Sequence, residues 1–323
     1  MDNLDYNPIM KIQVFRLNSS SYQDKDFIKS EAKLLSAIEG VEYITSASAL
    51  SKDAKYVLIS NTHTDLSKLA KNLLENTILM LHPNSGHDNI PASFVRDVDF
   101  PILRGNKIRA QAVAEYILSC MFRHFTQIKN HLFWDQSRVW NRKRLRDQKT
   151  LILGFGHVGK LVYKSLSPLV KDLTVIDPQV ESNELIPQVK TQYDDECFKN
   201  VDVLILATSL NESTKGLINQ KVFEQVSESV LIINPSRGKV IAQKDLEKFL
   251  EINPNAFAYL DVFTTEPFSS SDFKSIKNVN KTSHIAGVYK ELNRDIIEFE
   301  KEALGDFLKD QGSFNEKYSK DIL

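Results

Sequence analysis

Short apolar runs alternate with stretches of helical period along the whole chain. "KIQVF" from residue 11, "YVLIS" from 56 and "TILML" from 77 are short and rich in β-branched residues, so each predicts a strand. "DLSKLAKNLLE", between the last two, has a helical period, and the region reads as a small α/β unit. In "NKIRAQAVAEYILSCMFRHF" the apolar residues Ala110, Val113, Ala114, Ile117, Leu118, Met121, Phe122 and Phe125 fall on one helical face and predict a long buried helix. After Trp140 come "LIL", "LTVI", "VDVLILA", "SVLIIN" and "AFAYLDV", with turns and helical patterns between them. Strands that are apolar almost throughout are those of a parallel sheet covered on both faces. The pattern predicts a doubly wound domain over residues 106–292. The amphipathic "ELNRDIIEFEKEALGDFLK" has nothing left to pair with in that sheet, and is expected to return to the first region, so that 1–105 and 293–323 form one domain.

Composition narrows the function classes. The 323 residues are 42% hydrophobic and 26% charged, an ordinary globular balance. A net charge of -1 and a pI near 6.7 supply no field that would draw the chain to nucleic acid or anionic lipid. The one basic run, Arg142, Lys143, Arg144, Arg146 and Lys149, directly precedes a strand and reads as a solvated connector. Cys120 and Cys197 are too few for a disulfide framework and lie in no metal-ligand spacing, which points to a reducing cytoplasm and to no metal site. The first residues lack a basic segment followed by an apolar core, and no run approaches the roughly 18 apolar residues of a membrane span. The expectation is a cytoplasmic protein with no membrane and no nucleic acid among its partners.

The first chemical signal is "LILGFGHVGK". Gly154, Gly156 and Gly159 form a G-x-G-x-x-G turn between a strand and a helix. The first glycine permits the tight turn, the second lets the backbone approach a pyrophosphate, and the third lets helix and strand pack closely. The helix amides, opening at His157 and Val158, then face the phosphates. Asp177 ends the next strand, "LTVID", where an acid reaches the adenosine ribose. Alone the glycines are weak evidence; strand, glycines, helix, strand and acid in register predict a Rossmann-type dinucleotide site. Pro178 and Gln179 follow Asp177 with no basic residue for a 2′-phosphate, so NAD is favoured over NADP.

Ligands of open α/β sheets bind beyond the carboxyl ends of the strands. "SVLIINPSRG" delivers Arg237 there, "AFAYLDVFTTEPF" delivers Asp261 and Glu266, and "VNKTSH" delivers His284. Each alone is more often a surface residue or a turn former. Together, downstream of a dinucleotide fingerprint, they make a site. A guanidinium binds a carboxylate and polarises an adjacent carbonyl. Histidine exchanges a proton near neutrality, and a carboxylate bonded to it favours the imidazolium. That set suits the reversible reduction of a 2-oxo acid.

With "GNKIRAQAVAEYIL", "GFGHVG…VIDP", "NPSRG", "DVFTTEP" and "SHIAG" in that order, the whole chain resembles the D-isomer-specific 2-hydroxyacid dehydrogenases. The resemblance implies that Arg237 holds the substrate carboxylate, His284 is the acid/base and Glu266 is its partner. It puts Asp261 on the nicotinamide carboxamide, Asp177 and Pro178 at the adenosine ribose, and Ala207, Thr208 and Ser209 along the nicotinamide wall, with Gly287 beside the cofactor. It makes "PNSGHDNI" the substrate loop, with the amides around Ser85 and Gly86 facing the carboxylate and the Ser60 to Thr62 turn closing the pocket. It also implies a flavodoxin-like substrate domain, domain closure that excludes water, a homodimer formed through the NAD domain, and a small 2-oxo or 2-hydroxy acid as partner. The length leaves no stretch for an added regulatory domain. His63, His82, His87, His124, His131 and His157 inherit no acid/base role; His87 is placed to shape specificity.

There are departures. Ser283 and Ser209 stand where the family commonly has proline, which would stiffen both loops. Ala242 and Gln243 follow "RGKVI" in place of an acidic pair, a lost helix cap worth about 1 kcal/mol. Pro91 stands where an aspartate is frequent. The rival reading is a dinucleotide-sensing, corepressor-like interaction protein of the same fold with little turnover.

Overall fold

The computed structural model describes residues 11–20, 23–126, 142–180, 189–190, 195–269 and 271–323. The chain divides into two compact units, one of residues 1–109 with 289–323 and one of 110–288.

The first unit is built on β1 (Ile12–Arg16), β2 (Val41–Ile44), β3 (Lys55–Ile59), β4 (Thr77–His82) and β5 (Ile102–Arg104). They pair in parallel in the order β2-β1-β3-β4-β5, the flavodoxin-like arrangement. The helices are α1 (Lys25–Leu35), α2 (Lys71–Glu75), α3 (Ala92–Asp97), α8 (Leu292–Lys309) and α9 (Gln311–Tyr318). Asp24 starts α1 by accepting from the amides of Asp26 and Phe27. Phe27, Glu31 and Leu35 then recur one turn apart on its buried face. Pro91 is the N-cap residue of α3. The amphipathic C-terminal segment is α8, whose buried Ala303, Leu304 and Phe307 pack with Ile12, Val14 and Leu35 of this unit.

In the second unit β6 (Lys149–Leu153), β7 (Asp172–Ile176), β8 (Val189–Lys190), β9 (Val203–Leu206), β10 (Leu231–Asn234), β11 (Phe257–Leu260) and β12 (Val279–Lys281) form one parallel sheet. The order β12-β11-β10-β9-β6-β7-β8 reverses between β6 and β9, the switch point at which such sheets bind ligands. Strand alternation sorts the core: Leu151 and Leu153 face one apolar layer and Ile152 the other. α4 (Ala110–Phe125) and α5 (His157–Leu166) cover the Ile152 face, and α6 (Gln220–Phe223) and α7 (Gln243–Ile252) the opposite one. α7 starts at Ala242 with no side-chain cap, as the missing acidic pair implies. Of the basic run, Lys143 donates to Ser229, Arg144 pairs with Asp147 and Lys149 donates to the carbonyl of Lys199.

Candidate active site

The glycine turn at the end of β6 shows why each glycine is there. Gly154 has φ +98°, and a Cβ on it would lie 2.5 Å from the Ala207 carbonyl oxygen. A Cβ on Gly159, in the first turn of α5, would lie 2.1 Å from the Gly154 oxygen. On Gly156 it would meet nothing within 4 Å, so this backbone faces open space, as approach by a pyrophosphate requires. Asp177 braces the same turn: its Oδ2 accepts the Phe155 amide at 2.7 Å and its Oδ1 the Gln179 amide at 2.8 Å. Ala207 to Ser209 leave β9 beside it, and the Ala207 amide donates to the Leu153 carbonyl.

Arg237 is placed by an asparagine. Asn234, buried at the end of β10, accepts the Ser236 amide and hydroxyl on Oδ1 and donates from Nδ2 to the Arg237 carbonyl. This closes the "NPSR" turn. Gly238 follows because a Cβ there would lie 1.9 Å from the Phe263 carbonyl carbon, so only glycine lets this turn pack against the loop that carries Glu266. The Arg237 guanidinium donates to the Ser236 carbonyl at 2.8 Å.

His284 and Glu266 meet. Nδ1 of His284 lies 2.8 Å from Oε2 of Glu266, while Oε1 accepts the Phe263 amide at 3.0 Å. A carboxylate only accepts, so Nδ1 carries the proton and Nε2 is the nitrogen left for a substrate. Half-burial opposes the charge on Glu266, but the His284 hydrogen bond, the Phe263 amide and the charges of His284 and Arg237 outweigh it and hold the carboxyl below its ordinary range. His284 has φ +56°, a left-handed conformation in which a non-glycine residue is strained. Asp261, with no exposed surface, lies underneath. Its carboxylate accepts from Thr282 Oγ1 and from the amides of Ile285 and Ala286, and its carbonyl accepts the His284 amide. Gly287 follows in the same turn, half-buried.

In the first unit, the loop after β4 holds Ser85 and Gly86. The Gly86 carbonyl accepts from Nε2 of buried His82 at 2.9 Å, and His82 Nδ1 lies 2.9 Å from the Ser60 hydroxyl. Ser60 and Asn61 are therefore buried supports. Asn61 receives an amide from His63, and Asn89 of the loop donates to the carbonyls of Asn61 and Thr64.

The model of the "D-isomer specific 2-hydroxyacid dehydrogenase, NAD binding domain" matches residues 117–286. The chain belongs to the D-isomer specific 2-hydroxyacid dehydrogenase family. It is 30% identical over 245 residues to erythronate-4-phosphate dehydrogenase of Wigglesworthia glossinidia brevipalpis, covering 71% of this chain and 57% of that protein. It is 26% identical over 240 residues to hydroxypyruvate reductase of Thermotoga maritima, covering 72% of this chain and 76% of that one. The match thus spans little more than half the length of the first of these relatives. A D-lactate dehydrogenase of Aquifex aeolicus, solved with NAD and lactic acid, shares the fold at TM-score 0.71 and 18% identity, over 96% of this chain and 98% of that one.

For this member of the 2-hydroxyacid dehydrogenase family, the second unit brings together the glycine turn, Asp177, Ala207 to Ser209, Arg237, Asp261, Glu266 and His284 at the strand ends of one sheet. His124 packs against Phe125 and Phe257, His157 opens α5, and His131 lies outside the described residues. Sequence reasoning missed the supports: Asn234 under Arg237, Thr282 under Asp261, and His82 under the loop of Ser85. For Asn234 and His82 a signal was present, since each is a polar residue at the end of an apolar strand, whereas Thr282 follows the mixed strand Val279–Lys281. No helix among the described residues is long and apolar enough to cross a membrane, and none of them form a metal-ligating cluster of three or more His, Cys, Asp or Glu.

Proposed function

We propose that the chain is an NAD-dependent 2-hydroxyacid dehydrogenase that reduces a small 2-oxo acid. The observation that carries this is the 2.8 Å pair of His284 and Glu266, with the charge of Arg237 close enough to act on the same carboxylate. The residues fit the dinucleotide: Gly156 and the first amides of α5 would hold the pyrophosphate, Asp177 the ribose, and Ala207 to Ser209 and Gly287 the nicotinamide end, with buried Asp261 supporting the turn beneath it. Bound NADH supplies the hydride that goes to C2 of the acid. Arg237 binds the substrate carboxylate and polarises the neighbouring carbonyl. His284 gives its Nε2 proton to the carbonyl oxygen as the alcohol forms, and Glu266 stabilises the imidazolium beforehand and fixes the ring. Ser85 and Gly86 supply further donors to the substrate carboxylate. The domains are 1–105 with 293–323 for substrate and 106–292 for NAD, and the protein works as a cytoplasmic homodimer joined through the NAD domain.

A kinetic panel tests this: NADH and NADPH oxidation with glyoxylate, hydroxypyruvate, pyruvate and longer 2-oxo acids, and NAD reduction with erythronate 4-phosphate. The reading expects turnover with at least one acid and a preference for NADH, since the Asp177 carboxylate repels a 2′-phosphate. NADH binding with no turnover on any of them would favour the dinucleotide-sensing alternative.

A further inference from the structure

We propose that Tyr116 is a positioning residue for His284, acting through the hydroxyl of Thr282 and the carboxylate of Asp261. The inference rests on the reading of His284 as the acid/base.

The turn that carries His284 has little packing of its own. Ser283, His284 and Ile285 are all exposed, yet His284 sits at φ +56°. A strained conformation persists only where its surroundings over-determine it. Here Asp261 does so, with its carboxylate oxygens receiving the two amides that follow His284, each at 2.8 Å, and its carbonyl receiving the His284 amide at 2.8 Å.

That carboxylate also receives one side chain. Thr282 Oγ1 lies 2.6 Å from Asp261 Oδ1 and 2.8 Å from the Tyr116 hydroxyl. A hydroxyl has one proton. Thr282 donates it to the carboxylate, so the Tyr116 hydroxyl donates to Thr282. Burial, reduced somewhat by the Thr282 hydrogen bond, pushes the Tyr116 hydroxyl well above its ordinary value, and it stays a donor at every working pH. Tyr116 itself is on α4, whose Ala114, Ile117, Cys120 and Met121 are buried in the sheet-facing layer. The line therefore runs from a helix fixed by packing to the turn that carries His284.

The test uses the full-length protein and the 2-oxo acid it reduces fastest, with Tyr116→Phe, Thr282→Val, Thr282→Ser and the Tyr116→Phe/Thr282→Val pair. Tyr116→Phe should lower kcat about fivefold and Thr282→Val about tenfold, with KM for the acid and Kd for NADH within about twofold of wild type. Thr282→Ser keeps the hydroxyl and should regain most of the Thr282→Val loss. The double variant should be no slower than Thr282→Val, because both changes break one line. An unchanged kcat in Tyr116→Phe, losses that multiply in the double variant, or a loss confined to NADH affinity would overturn the proposal. Should the wild-type protein reduce no 2-oxo acid, the functional reading fails separately, and hydrogen exchange decides the positioning. Faster exchange of a peptide covering residues 283–287 in Tyr116→Phe supports it, and unchanged exchange overturns it.

Discussion

His284 and Glu266 share a hydrogen bond of 2.8 Å between Nδ1 and Oε2, and Glu266 is held for this by the Phe263 amide on its other oxygen. Burial works against the Glu266 charge, but the hydrogen bonds and charges around it win, and its carboxyl is depressed from the ordinary 4.5. A depressed value means that the pair, present at neutral pH, is kept as pH falls past the point where an ordinary glutamate takes up a proton, and is lost as pH falls through the depressed value. Glu266→Gln keeps the shape and removes the charge. It should lower kcat for reduction by about 10²-fold, because the ring loses the carboxylate that orients it and balances its charge. A kcat within about twofold of wild type would show that the pair takes no part in turnover.

Gly159 and Gly154 make a second, purely steric prediction. A methyl group on Gly159 would lie 2.1 Å from the Gly154 carbonyl oxygen and 2.9 Å from its carbon, and both are backbone atoms that cannot rotate away. Gly159→Ala should therefore push α5 off β6, lower stability by about 2 kcal/mol or more, and abolish NADH binding measured by fluorescence. Gly156→Ala meets no protein atom, and should leave the melting temperature within a few degrees of wild type while weakening NADH.

Much of this site is legible in the sequence, for a physical reason. Parallel strands buried on both faces must be nearly all apolar, so the polar residues that end them, Asp177, Asn234 and Asp261, stand out against the run. Arg237, Glu266 and His284 follow from that punctuation. The supports are less visible because they depend on what the strand order places side by side: nothing in "AEYIL" says that Tyr116 meets Thr282. The short β2, β5 and β8 were missed for a related reason. A strand as short as Ile102–Arg104 carries too little period to be told from a loop, and only its pairing with β4 defines it.

The buried cluster under α8 was also invisible, and it makes an asymmetric prediction. Arg16 on β1 bonds both Glu31 of α1 and Glu300 of α8, with almost no exposed side-chain surface on any of the three. Burial, together with the neighbouring Glu31 charge and against Arg16, holds the Glu300 carboxyl well above its ordinary range. Arg16 and the Tyr43 hydroxyl hold Glu31 below its own, against burial. One proton thus leaves the cluster neutral, with Glu31 as the ion. Glu300→Gln mimics the state already present and should shift the melting temperature by no more than a few degrees. Glu31→Gln strands a buried guanidinium and should cost about 3 kcal/mol or more in urea unfolding. Equal costs would contradict this assignment of the proton.

His82 ties the loop of Ser85 and Gly86 to pH. The Gly86 carbonyl can only accept, so Nε2 carries the proton and Nδ1 accepts from the Ser60 hydroxyl. Burial first, with the charges of His87, Arg109 and Arg104 and against the Gly86 hydrogen bond, lowers the ring from 6.5 to about 4. A group depressed on folding contributes stability that is complete above its unfolded value and is lost as pH falls toward its folded one, because the unfolded chain takes up the proton first. Between pH 7 and pH 4.5 this single ring should remove about 2–3 kcal/mol from the unit that carries it. His82→Gln cannot titrate. It should be less stable than wild type at pH 7, and its urea midpoint should fall less steeply with acid, so that the two curves converge. Curves that stay parallel down to pH 4.5 would mean that His82 is not the group that the acid reaches.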